Sequence, residues 1–317
     1  MSKHRKQHFV PSCYLMAWCD PSAPKNHAPY VWVFSKDGTV AKNKAPDNIF
    51  HETDMYTITK ADGKRNLVLE NGLSQLESNF TKIRNRKLRF HKALSAIERA
   101  QICAFLAAMN GRTKVMRDHQ GEQWGRLLER VETVKKWAET ATQEELQRAT
   151  ANSGPESSSR DSLTYEQVRS IAAQPLQNML PAIISVETPL LGKLDLAVFT
   201  AVDDIGFITS DNPCVWFDPK AYQRPPFYRA PALIYKSIEI TLPISPEQCI
   251  YLNRQGINGY IPATQSVVDE LNRRTRFCAG EYFVVRKKEK RSIWFDPGVE
   301  PEDSWEKERA KKAVRET

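Results

Sequence analysis

Glu70 and Glu77 stand seven residues apart in a segment whose leucines recur at helical spacing. Seven residues carry an α-helix through two turns with a net rotation of only ~20°, so both carboxylates leave the same side. Paired carboxylates on one helix face suit a divalent cation or general acid–base work, as the helix-borne Glu ligands of di-metal bundles do. The plainer alternative is an acidic edge paired with Lys82 or Arg84. A further carboxylate, Asp211, lies with Asn212 in the polar knot Thr209-Ser210-Asp211-Asn212-Pro213, between the apolar runs Phe207-Ile208 and Val215-Trp216-Phe217. The runs are strand formers, and Asp, Asn and the pre-proline position favour a turn. The expectation is strand, turn, strand, either as a structural Asx turn or as a scaffold holding a carboxylate and an amide to a cleft. His8 precedes Pro11, a residue suited to the first turn of a helix. The helix dipole disfavours a cationic imidazole there, so His8 is expected neutral, as a base, a ligand or a pin on a backbone carbonyl.

These side chains need elements to carry them. After Pro11, Tyr14, Leu15 and Trp18 share one helical face. Tyr30 to Phe34 reads as a strand, with a hairpin turn at Asp37-Gly38, and Asp54 to Ile58 reads as another. A helix is expected from Asn66 to Lys87, burying Leu69, Leu73, Leu76, Phe80 and Ile83. A second is expected from Ser95 to Arg117, opened by the capping box Ser95…Glu98. A third is expected from Gln123 to Thr150. Residues 151–159 have linker composition. Helical material resumes from Tyr165 to Ser185, interrupted at Pro175 and Pro181. Strands are then expected over Leu194–Thr200, Ser237–Leu242, Cys249–Leu252, Glu281–Arg286 and Ser292–Phe295, with a helix from Thr264 to Phe277 carrying Asn272.

The fold class that follows is α+β: a central helical bundle packed against a mostly antiparallel sheet built from N- and C-terminal strands. Residues 1–296 form one interlocked domain, with sheet elements in 30–58 and 194–296 and helices in 66–185; residues 297–317 form a charged tail. The 317 residues are 41% hydrophobic and 26% charged, an ordinary globular balance. No apolar run reaches the roughly 18 residues of a membrane span, and no signal-peptide core follows the basic N-terminus. Six scattered cysteines without a close pair read as reduced thiols, and a cytoplasmic location is expected. A net charge of +8 favours anionic partners, nucleic acid among them. Glycine-rich phosphate loops, nucleophile elbows, His-Glu-x-x-His and Cys-x-x-Cys are all absent.

Several stretches together resemble domain-of-unknown-function family 4238. Its His-Tyr-Val-Pro motif is similar to His8-Phe9-Val10-Pro11, with Phe for Tyr as a departure. Its glutamate helix resembles Leu69-Glu70 to Leu76-Glu77, and its Arg-Thr helix end resembles Arg112-Thr113. Thr209 to Pro213 and Pro243-Ile244-Ser245-Pro246 resemble its strands. The resemblance runs from about residue 4 to 286 and implies a recurrent polar set: His8, Glu70, Glu77, Arg112, Asp211, Asn212 and Asn272. It implies no activity.

Two functions are expected from these residues. The first is a hydrolase, a metal-dependent nuclease or phosphodiesterase. In it Glu70, Glu77 and Asp211 hold Mg²⁺ or Mn²⁺, His8 is the general base, Asn212 belongs to the site, and Arg112 steadies the phosphate. This requires the Asp211 turn to face Glu70, Glu77 and His8. The alternative is a non-enzymatic nucleic-acid-binding or protein-interaction module, in which the same residues, with Tyr14 and Asn272, form a structural network. No membrane partner is expected.

Overall fold

The structure is a computed structural model that describes residues 6–24, 26–59, 62–151, 163–298, 301, 304–307 and 309. The chain opens with β1 (Lys6–His8) and a single helical turn α1 (Ser12–Leu15), followed by β2 (Val31–Ser35), β3 (Ala41–Lys44), β4 (His51–Thr53), β5 (Ile58–Thr59) and β6 (Arg65–Asn66). Among the described residues six helices follow: α2 (Val68–Arg86), α3 (Ala96–Gly111), α4 (Lys114–Thr140), α5 (Gln143–Ala151), α6 (Tyr165–Ala173) and α7 (Pro175–Leu191). The C-terminal part contains β7 (Asp195–Ala201), β8 (Thr209–Ser210), β9 (Val215–Phe217), β10 (Glu239–Ser245), β11 (Gln248–Asn253), β12 (Gly259–Ala263), α8 (Gln265–Cys278) and β13 (Tyr282–Val285).

The α+β class holds, but the single expected sheet is two. One is five-stranded, in the order β12-β7-β11-β10-β9, with β12 parallel to β7 and the other pairs antiparallel. The other is four-stranded, in the order β3-β2-β13-β8, and it does interleave N- and C-terminal strands. β1 pairs with β4, and β5 with β6, as separate ribbons. The stretch from Phe207 to Phe217 is therefore not a hairpin. β8 belongs to the four-stranded sheet and β9 to the five-stranded one, so Asp211 to Cys214 carry the chain from one to the other.

Local chemistry explains where the elements differ from expectation. The helix expected over Ser95–Arg117 is two, because Arg112 leaves α3 and the Thr113 hydroxyl accepts the Met116 N–H as the cap of α4. The helix expected over Gln123–Thr150 starts earlier and breaks at Ala141, where Thr142 and Glu145 exchange capping bonds and open α5. From Asn152 on, the expected linker lies outside the described residues. Gln174, preceding Pro175, leaves the helical region (φ −138°, ψ 69°) and separates α6 from α7, whereas Pro181 lies inside α7 without ending it. Residues 292–295 form a 3₁₀ turn instead of a strand, because Trp294 turns inward to full burial and donates its indole N–H to Asp269 Oδ1 at 2.8 Å. Part of the expected tail also packs: Ser304 is buried and Glu306 ion-pairs with Arg229.

The main core lies between α2, α3 and α7 on one side and β7, β10 and β11 on the other. At its centre the Phe80 and Phe105 rings stack at 3.8 Å, 5° from parallel. Phe34, Ile208, Phe283 and Trp294 form a second cluster within the four-stranded sheet, and Phe207, Cys249, Val268 and Leu271 a third beneath α8. Phe207 and Ile208 thus face two different clusters, as alternate positions of an extended chain must. All six cysteines are free thiols. No described helix is long and apolar enough to cross a membrane.

The approach to this stretch depends on Gly206. Its φ is +65°, and a Cβ built there would lie 2.0 Å from the Pro246 carbonyl oxygen. That oxygen accepts the Phe207 N–H at 2.7 Å, so it cannot retreat without losing the bond. Gly206→Ala is expected to destabilise the fold by more than about 3 kcal/mol, combining left-handed strain with a backbone clash. Chemical denaturation of the two proteins measures it.

Candidate functional site

The polar residues singled out by the sequence fall into two clusters. In the first, His8 ends β1 directly across from His51 in β4, the rings meeting edge-on at 5.4 Å. Gln7, fully buried, fixes the strand: its side chain donates to Thr57 Oγ1 at 3.0 Å and accepts the Tyr56 N–H at 2.5 Å. Arg112 lies where α3 ends and is 0% exposed. Its guanidinium donates to the carbonyls of Phe9 at 3.0 Å and His8 at 3.2 Å, and to Glu77 Oε1 at 2.8 Å. The Tyr56 hydroxyl, 3.3 Å from the His8 carbonyl and 3.2 Å from that of Arg112, closes the group.

The electrostatics follow from burial. Desolvation opposes the Arg112 charge, but Glu77 and Tyr56, with Cys13, together outweigh it, leaving the guanidinium more firmly protonated than usual. Burial, and then the nearby His51, lower the His8 pKa, which favours the neutral ring. Asp47 holds one side of that ring by its backbone, and His8 Nε2 is buried without a hydrogen-bond partner among the described residues. Glu70 and Glu77 do share a face: the charges of both are felt at Tyr56, whose hydroxyl burial pushes well above its ordinary range. Glu77 pairs with Arg112, however, and not with Lys82 or Arg84.

The second cluster surrounds the end of α8. Asp211 Oδ1 accepts the Gly280 N–H at 2.7 Å, and Oδ2 accepts those of Glu281 at 2.7 Å and Tyr282 at 3.0 Å. Burial pushes the Asp211 carboxyl up, against the three N–H groups that pull it down. Asn212 donates to the Cys278 carbonyl at 2.9 Å, one of the orphan carbonyls that end a helix. Within α8, Asn272 donates to the Gly206 carbonyl and accepts the Ile208 N–H, each at 2.9 Å. Tyr14 reaches the same stretch from α1. Its hydroxyl donates to the Pro243 carbonyl at 2.6 Å, so the Thr209 hydroxyl, 2.7 Å away, donates to it.

The structure therefore brings His8, Glu77 and Arg112 together, with the Glu70 charge felt at Tyr56 of the same group, and separately Asp211, Asn212 and Asn272. The Asp211 carboxylate turns towards Gly280–Tyr282, not towards the two glutamates and His8. Three of its roughly four lone-pair directions are committed to backbone. Among the described residues, no three His, Cys, Asp or Glu side chains converge as ligands of an ion. The donor set expected for Mg²⁺ or Mn²⁺ thus does not fit, because its acidic members belong to different clusters. Arg112 is not poised for phosphate either, since it is fully buried and each of its nitrogens is bonded.

The burial of two groups was not foreseen from the sequence, where Arg84 stood only as an ion-pair partner of the acidic edge. Arg84 is only 7% exposed and donates to the carbonyls of Cys13 and Tyr14, each at 3.1 Å, at the end of α1. The signal was present, since position 84 continues the seven-residue spacing of 70 and 77 along one face of α2. Glu187 in α7 receives the Asn110 amide at 3.1 Å. Only the packing of α7 on α3 buries it, and nothing in the local sequence marks it.

These observations define an α+β protein whose polar motif residues bind backbone across distant segments. Residues 6–290 match the model of a family described as a protein of unknown function (DUF4238), and the chain belongs to that family. No curated protein and no solved structure matches it.

Glu187 carries a pH signature. Burial pushes its carboxyl up to about 7 from the ordinary 4.5, against the Asn110 bond. A carboxyl that holds its proton more tightly when folded favours the fold at low pH. That contribution is lost as pH rises from about 4.5 through about 7. Glu187→Gln is expected to flatten this slope and, at roughly pH 8, to exceed the parent in stability by about 1–3 kcal/mol after allowing for partial exposure. Melting curves across pH test it.

Proposed function

We propose that the chain binds nucleic acid and does not cleave it through a carboxylate-held metal. The polar residues of its motifs act as a framework, and its positive surface meets the phosphates. The observation that carries this reading is the commitment of Asp211 to three backbone N–H groups, which leaves the proposed metal without its third carboxylate. The partner class rests on the net charge of +8 and on the long-range attraction such a charge exerts on a polyanion. The basic run after β13 is part of the folded body and not a detachable arm: Arg291 pairs with Asp203 and Asp269, and Lys290 donates to the Gly38 carbonyl. Removing residues 286–317 would take the buried Trp294 with it. The surface is therefore better probed by salt and by charge-neutralising substitutions.

A hydrolytic reading keeps one observation of its own, the neutral His8 ring whose Nε2 has no partner among the described residues beside the Arg112–Glu77 pair. The two readings separate experimentally. Binding to labelled single- and double-stranded DNA and RNA is expected to weaken linearly in log–log form over roughly 50–300 mM salt, without strand cleavage in Mg²⁺ or Mn²⁺. Asp211→Asn is expected to lower the melting temperature, since half its acceptor capacity becomes a donor facing three N–H groups. Absence of binding even at low salt would overturn the proposal. So would Mg²⁺- or Mn²⁺-dependent cleavage that His8→Ala abolishes while the fold stays intact.

A further inference from the structure

A cleft of about 620 Å³ opens where the end of α2 meets the tip of the β10–β11 hairpin and the first residue after β13. Three guanidinium groups line it, Arg84, Arg89 and Arg286, against one carboxylate, Glu247, which pairs with Arg286. Arg84 has no carboxylate partner among the described residues. Four of its five N–H groups are used, on Asn85 and on the carbonyls of Cys13, Tyr14 and Ile244. Burial lowers its pKa, so the protein bears a cost to keep this charge beneath the cleft floor. Two lining groups are also buried without hydrogen-bond partners among the described residues: the Thr200 hydroxyl and Arg286 Nε. Native folds rarely leave such groups unsatisfied, and residues lining one cleft carry both. At the rim, His91 is held in the left-handed region, φ 53°, with its ring stacked on Tyr260 at 4.6 Å. Strained non-glycine backbone of this kind clusters at ligand sites.

We infer that this cleft binds a terminal phosphate, a phosphomonoester carried by a group of nucleotide size. Arg89 and Arg286 contact its oxygens, the Thr200 hydroxyl donates to it, and the buried Arg84 charge lies behind. A phosphate dianion supplies acceptors for each unsatisfied donor and balances the excess of guanidinium over carboxylate. The volume lies within the range of small-ligand pockets and accommodates a nucleoside attached to that phosphate. The inference rests on the anionic-partner reading above but narrows it from phosphodiester backbone to strand end or free mononucleotide.

Calorimetry on the full chain tests it with four probes: inorganic phosphate, adenosine 5′-monophosphate, adenosine, and paired oligonucleotides with and without a 5′-phosphate. Adenosine 5′-monophosphate and the phosphorylated strand are expected to bind at least about tenfold more tightly than their unphosphorylated counterparts. Arg286→Gln and Thr200→Val are each expected to erase most of that difference. The melting temperature of each variant shows whether the fold is retained. Arg89→Gln, at an exposed position, gives a variant in which folding is not at stake. Equal binding with and without the phosphate, or an unchanged preference in both Arg89→Gln and folded Arg286→Gln, would overturn the site. Salt-sensitive polymer binding that ignores the 5′-phosphate sinks the cleft and leaves the broader reading standing. Mononucleotide binding without polymer binding does the reverse.

Discussion

The structure depends on satisfying the backbone of one short stretch, Gly206 to Asn212, which cannot satisfy itself. It carries the chain between two sheets, so only Thr209, Ser210 and the Asp211 N–H, which donates to Tyr282, meet a strand, β13. Every other buried N–H and C=O there needs a side chain or a loop to bond, because an orphaned backbone group costs on the order of a lost hydrogen bond or more. Asn272 takes the Gly206 carbonyl and the Ile208 N–H, the Trp18 indole donates to the Phe207 carbonyl at 2.8 Å, and Pro246 accepts the Phe207 N–H. Asp211 and Asn212 then return the service, binding the chain where α8 ends. The residues that resemble a catalytic set are, at this end of the molecule, a way of joining two sheets through a helix.

Arg112 solves a related problem at the other end. The close of α3 leaves a guanidinium in the interior, where an unpaired charge would be costly. Glu77 neutralises it, and its remaining donors hold the His8 and Phe9 carbonyls, so the chain start is tied to the junction of α3 and α4. The same junction touches the second cluster: Lys114, the first residue of α4, pairs with Glu281, whose N–H is one of the three that Asp211 accepts. The two clusters are thus separate as sites and continuous as a framework, joined across the helix break at Arg112-Thr113.

Much of this was legible in the sequence, for identifiable reasons. The leucine stripe of α2 located that helix, Ser95…Glu98 located the start of α3, and Asp37-Gly38 located the β2–β3 hairpin, because each signal acts within a few residues. The shared face of Glu70 and Glu77 was likewise a matter of helix geometry and held. What was not legible was non-local. Nothing within Phe207–Phe217 says that its two strands join different sheets, since that is decided by β13 and β10 far along the chain. Thr113 and Thr142 are caps that compete with continuous helical periodicity, and a window sees the periodicity first. Residues 292–295 have strand composition but answer to Asp269, which captures Trp294. Asp211 looked like a metal ligand because its type permits one. Its three backbone partners, about seventy residues away, decided otherwise.

The two buried arginines sharpen this contrast. Arg112 and Arg84 both sit at the end of a helix, both donate to the carbonyls of the N-terminal segment, and both face the side of α2 on which Glu70 and Glu77 stand. A guanidinium spending its donors on carbonyls alone has dipoles for company but no opposing charge. Arg112 is given that charge by Glu77 and is itself fully buried. Arg84 is given none, and the space beside it is open, lined by two further arginines and by donors without acceptors. If both served only to pin the N-terminal segment, closure would suit each of them equally. The difference is that Arg112 has an opposing carboxylate and Arg84 has none among the described residues, which is why the proposed anion belongs at the second arginine.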